Sequence, residues 1–150
     1  MRIFNKRARF EYELTGEKVE AGISLRGAEA KAIRENRADL SQSHVRIMGN
    51  QAFLVNANIP VPGMKNYNST EMRKLLLHKK EILALATKAK QGKLAIVPIV
   101  LYNATSHDGH KSRFVKLELE LGKPKRQFEK KEAAKKMDVQ RDIDLEFKNR

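Results

Sequence analysis

Several short segments of this chain alternate apolar and polar residues, and this pattern constrains the fold more than any other feature. The clearest example is VKLELEL at 115–121, where Val and Leu alternate with Lys and Glu. ARFEYELT (8–15) and VEAGISL (19–25) show the same alternation, with Gly16 in the turn between them. Because successive side chains of a strand point to opposite faces, each segment predicts a strand with one buried face.

Other segments predict further strands and two helices. The strands are HVRIM (44–48), QAFLVNA (51–57) and KLAIVPIVLY (93–102), and the helices lie in AEAKAIRENR (28–37) and KLLLHKKEILALATKAKQG (74–92). Gly49-Asn50 suits a type II′ hairpin, and Pro98 marks an edge or a bulge. We expect Leu75–Leu77 to enter the second helix in an extended form, with Leu75 and Leu77 in the core, and Gly92 to follow its last turn.

This pattern favours a mainly β fold, because two helices cannot cover both faces of a parallel sheet. A small closed antiparallel barrel with about two flanking helices fits best. We assign the barrel to residues 1–121 and a basic tail to residues 122–150. The tail holds ten Lys or Arg and six Asp or Glu but few large apolar residues, so we expect it to be disordered when free.

The charge of the chain indicates an anionic partner. Lys and Arg outnumber Asp and Glu by 31 to 18, for a formal net charge of +13, which favours nucleic acid. The sequence has no cysteine, which excludes disulfides, thiolate nucleophiles and Cys-based zinc sites. The longest apolar run, LAIVPIVLY, is too short to span a bilayer. With no signal-like segment at its N-terminus, the chain is expected to be cytoplasmic.

The sequence contains no convincing catalytic constellation. Ser106, His107, Asp108 and His110 are close in sequence, but neighbours on a loop rarely converge as a triad does, and their spacing fits no known metal motif. Glu118 and Glu120 share one face of a strand with Lys116, which indicates a solvated face. We therefore predict a binding protein without cofactor or metal.

A basic bracket surrounds three leucines. Arg73 and Lys74 precede Leu75–Leu77, and Lys79 and Lys80 follow them. Leu76 either packs inward or lies exposed beside these cations, where it would contact a base or ribose. With no Trp and nine aromatic residues, the chain is poorly suited to bind single strands by stacking. This favours a folded RNA, recognised by shape, phosphates and ribose hydroxyls.

Longer motifs resemble a known family, the SmpB or SsrA-binding proteins, which partner transfer-messenger RNA in trans-translation. The motifs that carry the resemblance are NKRARFEYE (5–13), EAGISLRGAEAKAIR (20–34), LSQSHVRI (40–47), AFLVNANIP (52–60) and RKLLLHKKEI (73–82). The resemblance implies an OB-like barrel that binds the tRNA-like domain near its elbow and delivers the RNA to stalled ribosomes. We expect a monomer with no membrane partner.

The resemblance also implies roles for individual residues. The RNA-binding positions fall on Asn5, Glu20 and Leu76, with basic support from Lys6, Arg7 and Lys74, and the bracket adds Arg73. A carboxylate such as Glu20 accepts hydrogen bonds from base edges or a ribose hydroxyl; otherwise it forms a solvated pair. The tail would become helical in the decoding centre and empty messenger channel of the small subunit. Its expected contacts are Lys123, Lys125, Arg126, Lys130, Lys131, Lys135, Lys136 and Arg141.

Two other functions remain open. A basic ribosomal protein or general single-strand binder would hold unrelated RNA as tightly as transfer-messenger RNA. An RNA-cleaving or RNA-modifying enzyme would turn over RNA, and the absence of a catalytic constellation disfavours it.

Overall fold

The computed structural model describes residues 2–105 and 111–125. These residues form seven strands and three helices. In chain order they are β1 (Arg2–Phe4), α1 (Ala8–Glu11), β2 (Tyr12–Ile23), α2 (Gly27–Arg34), β3 (His44–Met48), β4 (Gln51–Val55), β5 (Arg73–Leu76), α3 (Lys79–Gly92), β6 (Ala95–Thr105) and β7 (Lys111–Pro124). The disfavoured catalytic loop 106–110 and the tail from Arg126 onward lie outside the described residues.

All seven strands belong to one antiparallel sheet. Their hydrogen-bonded order is β1-β6-β7-β2-β5-β4-β3, so the mainly β antiparallel prediction is confirmed. In the described residues β1 and β3 stand at the two ends of this order and no pairing joins them, so the closed barrel is not confirmed. The short β1 has one hydrogen-bonded neighbour, β6.

The inner face of the sheet supplies most of the core. Leu117, Leu119 and Leu121 of β7 are each at most 1% exposed, which confirms the buried face predicted from their alternation. Ile33 of α2 and Leu85 of α3 join the same apolar cluster, because each helix directs its apolar stripe at the sheet. The helices predicted within 28–37 and 74–92 are therefore present as α2 and α3, but residues 74–76 belong to strand β5 rather than leading into the helix, and α1 is additional.

The first predicted strand is wrong over its N-terminal half. Ala8–Glu11 form one helical turn, although Ala8 and Phe10 alternate as in a strand. The turn is closed locally, since the backbone N–H groups of Ala8 and Glu11 donate to the carbonyl oxygens of Asn5 and Arg7. Alternation over so few residues does not distinguish one helical turn from a strand, so the local hydrogen bonds decide.

Gly16 does not end a strand, contrary to the predicted turn. β2 continues through it, and its pairing with β7 shifts register between Leu14 and Lys18. Gly16 has a φ of +88°, and the Thr15 hydroxyl donates to the Leu121 carbonyl oxygen at 3.0 Å. A glycine at positive φ within a register shift is typical of a β-bulge, so one long bulged strand replaces two short ones.

Other local predictions are confirmed or shifted by one residue. Met48 pairs with Gln51 across Gly49-Asn50, and the Gly49 φ of +54° fits the predicted hairpin. The pairing of β6 with β7 shifts register at Pro98, which confirms the bulge. The left-handed residue after α3 is Lys93 rather than Gly92.

A buried ion pair fixes β5 in place. The Arg73 Nε donates to the Glu29 Oε2 at 2.7 Å, and both side chains are 2% exposed. Other guanidinium N–H groups donate to the carbonyl oxygens of Ala57 and Ser69 and to the Tyr67 hydroxyl. These bonds tie α2, the loop after β4 and the start of β5 into one unit.

Candidate nucleic-acid interface

A row of side chains crosses the outer face of the sheet, opposite the leucine core. Strand register places Leu76 beside Gly22, Gly22 beside Lys116, Lys116 beside Tyr102, and Tyr102 beside Arg2. These five residues come from β5, β2, β7, β6 and β1. We call them the outer row. It brings distant parts of the chain to one surface, which no local motif in the sequence reveals.

Glu20 lies next to the outer row, two residues before Gly22 on the same face of β2. The Lys116 Nζ is 2.6 Å from its Oε1, and the Tyr102 hydroxyl donates a second hydrogen bond. The bonds from Lys116 and Tyr102 hold the pKa of Glu20 below its usual value. Burial, followed by the neighbouring Glu20 carboxylate, raises the pKa of Tyr102. Glu20 is thus ionised and half-exposed, and with Lys116 it forms the solvated pair that the sequence left open as the alternative.

An open cleft of about 600 Å³ adjoins the outer row, between strands β2, β5 and β7 and the start of α3. We call it the β5 cleft. Its lining includes Glu20, Lys116, Lys74, Leu76 and Lys79. Three predicted site residues, Glu20, Lys74 and Leu76, therefore meet in one place. The combination of cations, one carboxylate and an apolar side chain suits phosphate, ribose hydroxyl and base contacts.

The three consecutive leucines of the bracket differ in exposure, because successive side chains of a strand point to opposite faces of the sheet. Leu75 is 1% exposed and Leu76 is 56% exposed, while Leu77 is partly buried against the core. Leu76 lies over Gly22, where an added Cβ would come within 3.1 Å of the Leu76 Cβ. The alternative that the sequence left open is thus decided, since Leu76 faces solvent and Leu75 does not.

Asn5 and Lys6 line a second cleft, of about 880 Å³, under α1. We call it the α1 cleft. The Asn5 side-chain amide donates to the Pro98 carbonyl oxygen at 2.8 Å, and its Oδ1 accepts from the Arg7 backbone N–H at 3.2 Å. Asn5 therefore shapes the turn that presents Lys6. Arg7 is exposed, and its Nε lies 3.6 Å from the Glu11 Oε1.

Arg73 does not fit its predicted role as an RNA contact. It is 3% exposed, and its donors are used inside the protein. The sequence placed it beside Lys74 in the basic bracket, but adjacent residues of a strand face opposite sides of the sheet. Lys74 is exposed and Arg73 is interior, so the bracket divides between the cleft and the core.

Two tail residues fall within the described part of the chain. β7 continues to Pro124, past the predicted boundary at residue 121, and the Lys125 backbone N–H donates to the Glu11 carbonyl oxygen at 2.9 Å. Its Nζ donates to the Arg9 carbonyl oxygen at 2.8 Å. Lys123 is exposed. The other predicted tail contacts lie outside the described residues, and so does the part of the tail that is expected to become helical.

The predicted solvated face of β7 is only partly correct. The Lys18 Nζ lies 3.6 Å from the Glu118 Oε1, but Glu120 is only 6% exposed. Sequence reasoning also missed Lys116 and Tyr102 as partners of Glu20. The register that pairs β7 with β2 and β6 was the missing information, because alternation assigns a face without naming its neighbours.

The described residues contain neither a cluster of metal-binding side chains nor a membrane-spanning helix. Across 2–105 and 111–125 no three His, Cys, Asp or Glu side chains cluster as metal ligands would. No helix in these ranges is long and apolar enough to cross a membrane.

Comparison with known proteins identifies the family. The family model described as SmpB protein matches residues 2–149. An SsrA-binding protein of Sulfurihydrogenibium sp. (strain YO3AOP1) is 42% identical over 149 residues, which cover 97% of this chain and 93% of the relative. One from Mesoplasma florum is 40% identical over 141 residues, covering 91% and 89%.

A solved structure agrees with this assignment. It is described as "tmRNA-SmpB: a journey to the center of the bacterial ribosome", and it is similar to this chain with a TM-score of 0.66 and 34% identity. The similarity covers 89% of this chain and 94% of the other. With a family model that spans almost the whole sequence and relatives near 40% identity, the chain belongs to the SmpB protein family.

Proposed function

We propose that this protein binds the tRNA-like domain of transfer-messenger RNA and delivers that RNA to stalled ribosomes for nascent-chain tagging. It acts as a binding protein rather than as an enzyme. The relatives are named for binding SsrA, and the similar solved structure concerns tmRNA, SmpB and the bacterial ribosome. The observation that carries the proposal on this chain is the β5 cleft, where Glu20, Lys74 and Leu76 converge.

The cleft supports recognition of a folded RNA in a specific way. Lys74, Lys79 and Lys116 supply positive charge for phosphates, which gives affinity without sequence information. Glu20 supplies an acceptor that a phosphate backbone would repel, so it favours a base edge or a ribose hydroxyl. Leu76 supplies an exposed apolar surface for the flat face of a base or sugar.

We further propose that the sheet curls into a partly open OB-like barrel. β3, at one end of the hydrogen-bonded order, packs close to β6, which is next to the other end. The OB-fold tolerates such incomplete closure. The curl leaves the outer row on a convex surface, accessible to a large RNA.

The decisive experiment is a binding titration with the full chain. It compares the tRNA-like domain with an unrelated structured RNA of equal length at several salt concentrations. We expect preference for the tRNA-like domain and a linear fall of log K with log salt, with each neutralised phosphate contributing a slope of about −0.7 to −0.9. Equal affinity for both RNAs would instead indicate a general nucleic-acid binder.

Leu76→Ala provides a residue-level test with a close control. Leu83 on α3 is also exposed, at 68%, and it does not line the β5 cleft. Leu76→Ala should weaken binding to the tRNA-like domain, whereas Leu83→Ala should not. Equal effects of the two variants would remove Leu76 from the interface.

The tail is proposed to act after RNA binding, as a sensor of an empty messenger channel. Because β7 pairs up to Pro124 and Lys125 is hydrogen-bonded to α1, the informative truncation ends after Lys125. This variant should bind isolated transfer-messenger RNA nearly as well as the full chain, yet lose tagging on stalled ribosomes. A reconstituted tagging assay beside the titration checks both expectations, and tagging at the normal rate would refute the role of the tail.

A further inference from the structure

Glu120 is a buried carboxyl group on the outer face of β7. It lies opposite Lys18 on β2 and Val97 on β6, and it is 6% exposed. Its neighbour two residues away, Glu118, is more open and lies 3.6 Å from the Lys18 Nζ. Glu120 lines the α1 cleft beside Asn5 and Lys6.

No hydrogen bond or ion pair in the described structure uses the Glu120 side chain. Its register neighbour Lys18 pairs with Glu118 instead. Its carboxylate oxygens still reach solvent in the cleft, because Asn103 Oδ1 is the only fully buried side-chain nitrogen or oxygen without a partner in the described residues. This acceptor is therefore available to a hydrogen-bond donor that enters the cleft from outside.

The other residues that line the α1 cleft indicate which further groups such a ligand carries. Five cations line it (Arg2, Lys6, Arg9, Lys18 and Lys125), and they outnumber its carboxylates, which are Glu13, Glu118 and Glu120. Phe4, which is 57% exposed, is also part of the lining. Cations suit phosphates, and an exposed aromatic ring suits stacking with a base. The volume of about 880 Å³ lies within the usual range for small-molecule sites.

We propose that the α1 cleft holds an unpaired guanine of the bound RNA, with the Glu120 carboxylate accepting from the N1–H and N2–H groups of its Watson–Crick edge. Guanine is the base whose edge offers two adjacent donors, and one carboxylate accepts both. Adenine, cytosine and uracil each place an acceptor beside a donor there. Phe4 stacks on the base, and the cationic rim holds the flanking phosphates.

This inference rests on the proposed function only for the identity of the RNA, so the first test uses nucleotides. Backbone amide shifts of the full, isotope-labelled chain are followed during titration with GMP, IMP and AMP. We expect GMP to bind most tightly, IMP more weakly because it lacks the N2 amine, and AMP at least about fivefold more weakly than GMP. Equal affinity for GMP and AMP would overturn the proposal.

Glu120→Gln is the diagnostic variant, since it keeps the shape of the side chain but replaces one acceptor by a donor. It should abolish the preference for GMP and weaken binding to the tRNA-like domain by about five- to thirtyfold. Glu17→Gln, an exposed change on the same strand pair but outside the cleft, should do neither. Unchanged GMP selectivity in Glu120→Gln would also overturn the proposal.

Thermal unfolding separates this binding role from a structural one. Glu120→Ala removes an acceptor that has no partner within the described residues, so its Tm should equal or exceed that of the unchanged chain while GMP binding is lost. A fall of more than about 4 °C would show that Glu120 supports the fold instead. If the chain bound GMP through Glu120 but showed no preference for the tRNA-like domain, the cleft would stand and the proposed RNA would be wrong.

Discussion

Two glutamate–cation pairs in this protein have nearly the same length and opposite surroundings. The Arg73 Nε lies 2.7 Å from the Glu29 Oε2, with both side chains 2% exposed. The Lys116 Nζ lies 2.6 Å from the Glu20 Oε1, with the side chains 39% and 50% exposed. Hydrogen bonds lower the pKa of both glutamates, although burial alone would raise that of Glu29.

The difference shows that solvent, rather than distance, decides what an ion pair does. Removing one member of a buried pair leaves an uncompensated charge in the interior, whereas an exposed pair adds little stability. The buried pair therefore holds loops and strands in place. The exposed pair leaves its charged groups accessible on the outer face of the sheet.

The largest effect is expected from breaking the buried pair. Arg73→Ala should lower the free energy of unfolding by roughly 3 to 5 kcal/mol, because Glu29 keeps its charge and the carbonyl groups of the loop lose their donor. Urea denaturation measures this loss. The double variant Glu29→Leu with Arg73→Met should recover much of it, since neither charge remains. A single variant that unfolds like the unchanged chain would refute the role of the pair.

Acidification should weaken the stabilising effect of the same Arg73–Glu29 pair. The pKa of Glu29 is lower in the folded protein than in the unfolded chain, where it is near 4.5. The contribution of Glu29 to folding stability is therefore fully present above the unfolded pKa and is lost as the pH falls through the folded pKa. Tm should therefore drop below about pH 4.5. Glu20→Gln should leave most of this drop unchanged. A Tm that stays flat between pH 5 and pH 3 would contradict the assignment.

The exposed pair should affect binding more than folding. Glu20→Ala should weaken binding to the tRNA-like domain by roughly 1 to 2 kcal/mol, although it removes a negative charge from a basic surface. Glu17→Ala is the matched control, because Glu17 pairs with Lys88 at 3.0 Å with both side chains just over half exposed. If both variants bind more tightly, simple electrostatics governs the surface and Glu20 is not an acceptor for RNA.

The smallest effect is on stability. Glu20→Ala and Glu17→Ala should each change the free energy of unfolding by less than about 1 kcal/mol. Chemical denaturation of both variants measures this directly. A larger loss in Glu20→Ala alone would mean that its contacts with Lys116 and Tyr102 support the sheet, and the contrast with the buried pair would disappear.

Local patterns predicted much of the fold. The VKLELEL alternation gave the buried face of β7, and Gly49-Asn50 located the hairpin. Prediction failed where a short segment satisfied two periodicities, as at Ala8–Glu11, or where one glycine suited both a turn and a bulge, as at Gly16. In these places contacts with residues far along the chain decide the outcome.

The site residues could be predicted only where the sequence motifs resemble those of a known family. Glu20, Lys74 and Leu76 were named from motifs, and they line one cleft. Arg73 was misassigned because the charge of a side chain does not reveal its face. Lys116, Tyr102 and Glu120 were missed as site residues, since they lie on strands whose partners the sequence does not specify.

The sequence by itself determined the basic character, the mainly β composition, the two longer helices and the family. These properties depend on residue type and short-range spacing. The tertiary structure decided which charges are buried and which are available, because that depends on strand register. A register pairs residues separated by many positions, and a shift of one residue would exchange the two faces of a strand. For this reason Arg73 and Lys74, adjacent in the sequence, lie on opposite sides of the sheet and have different roles.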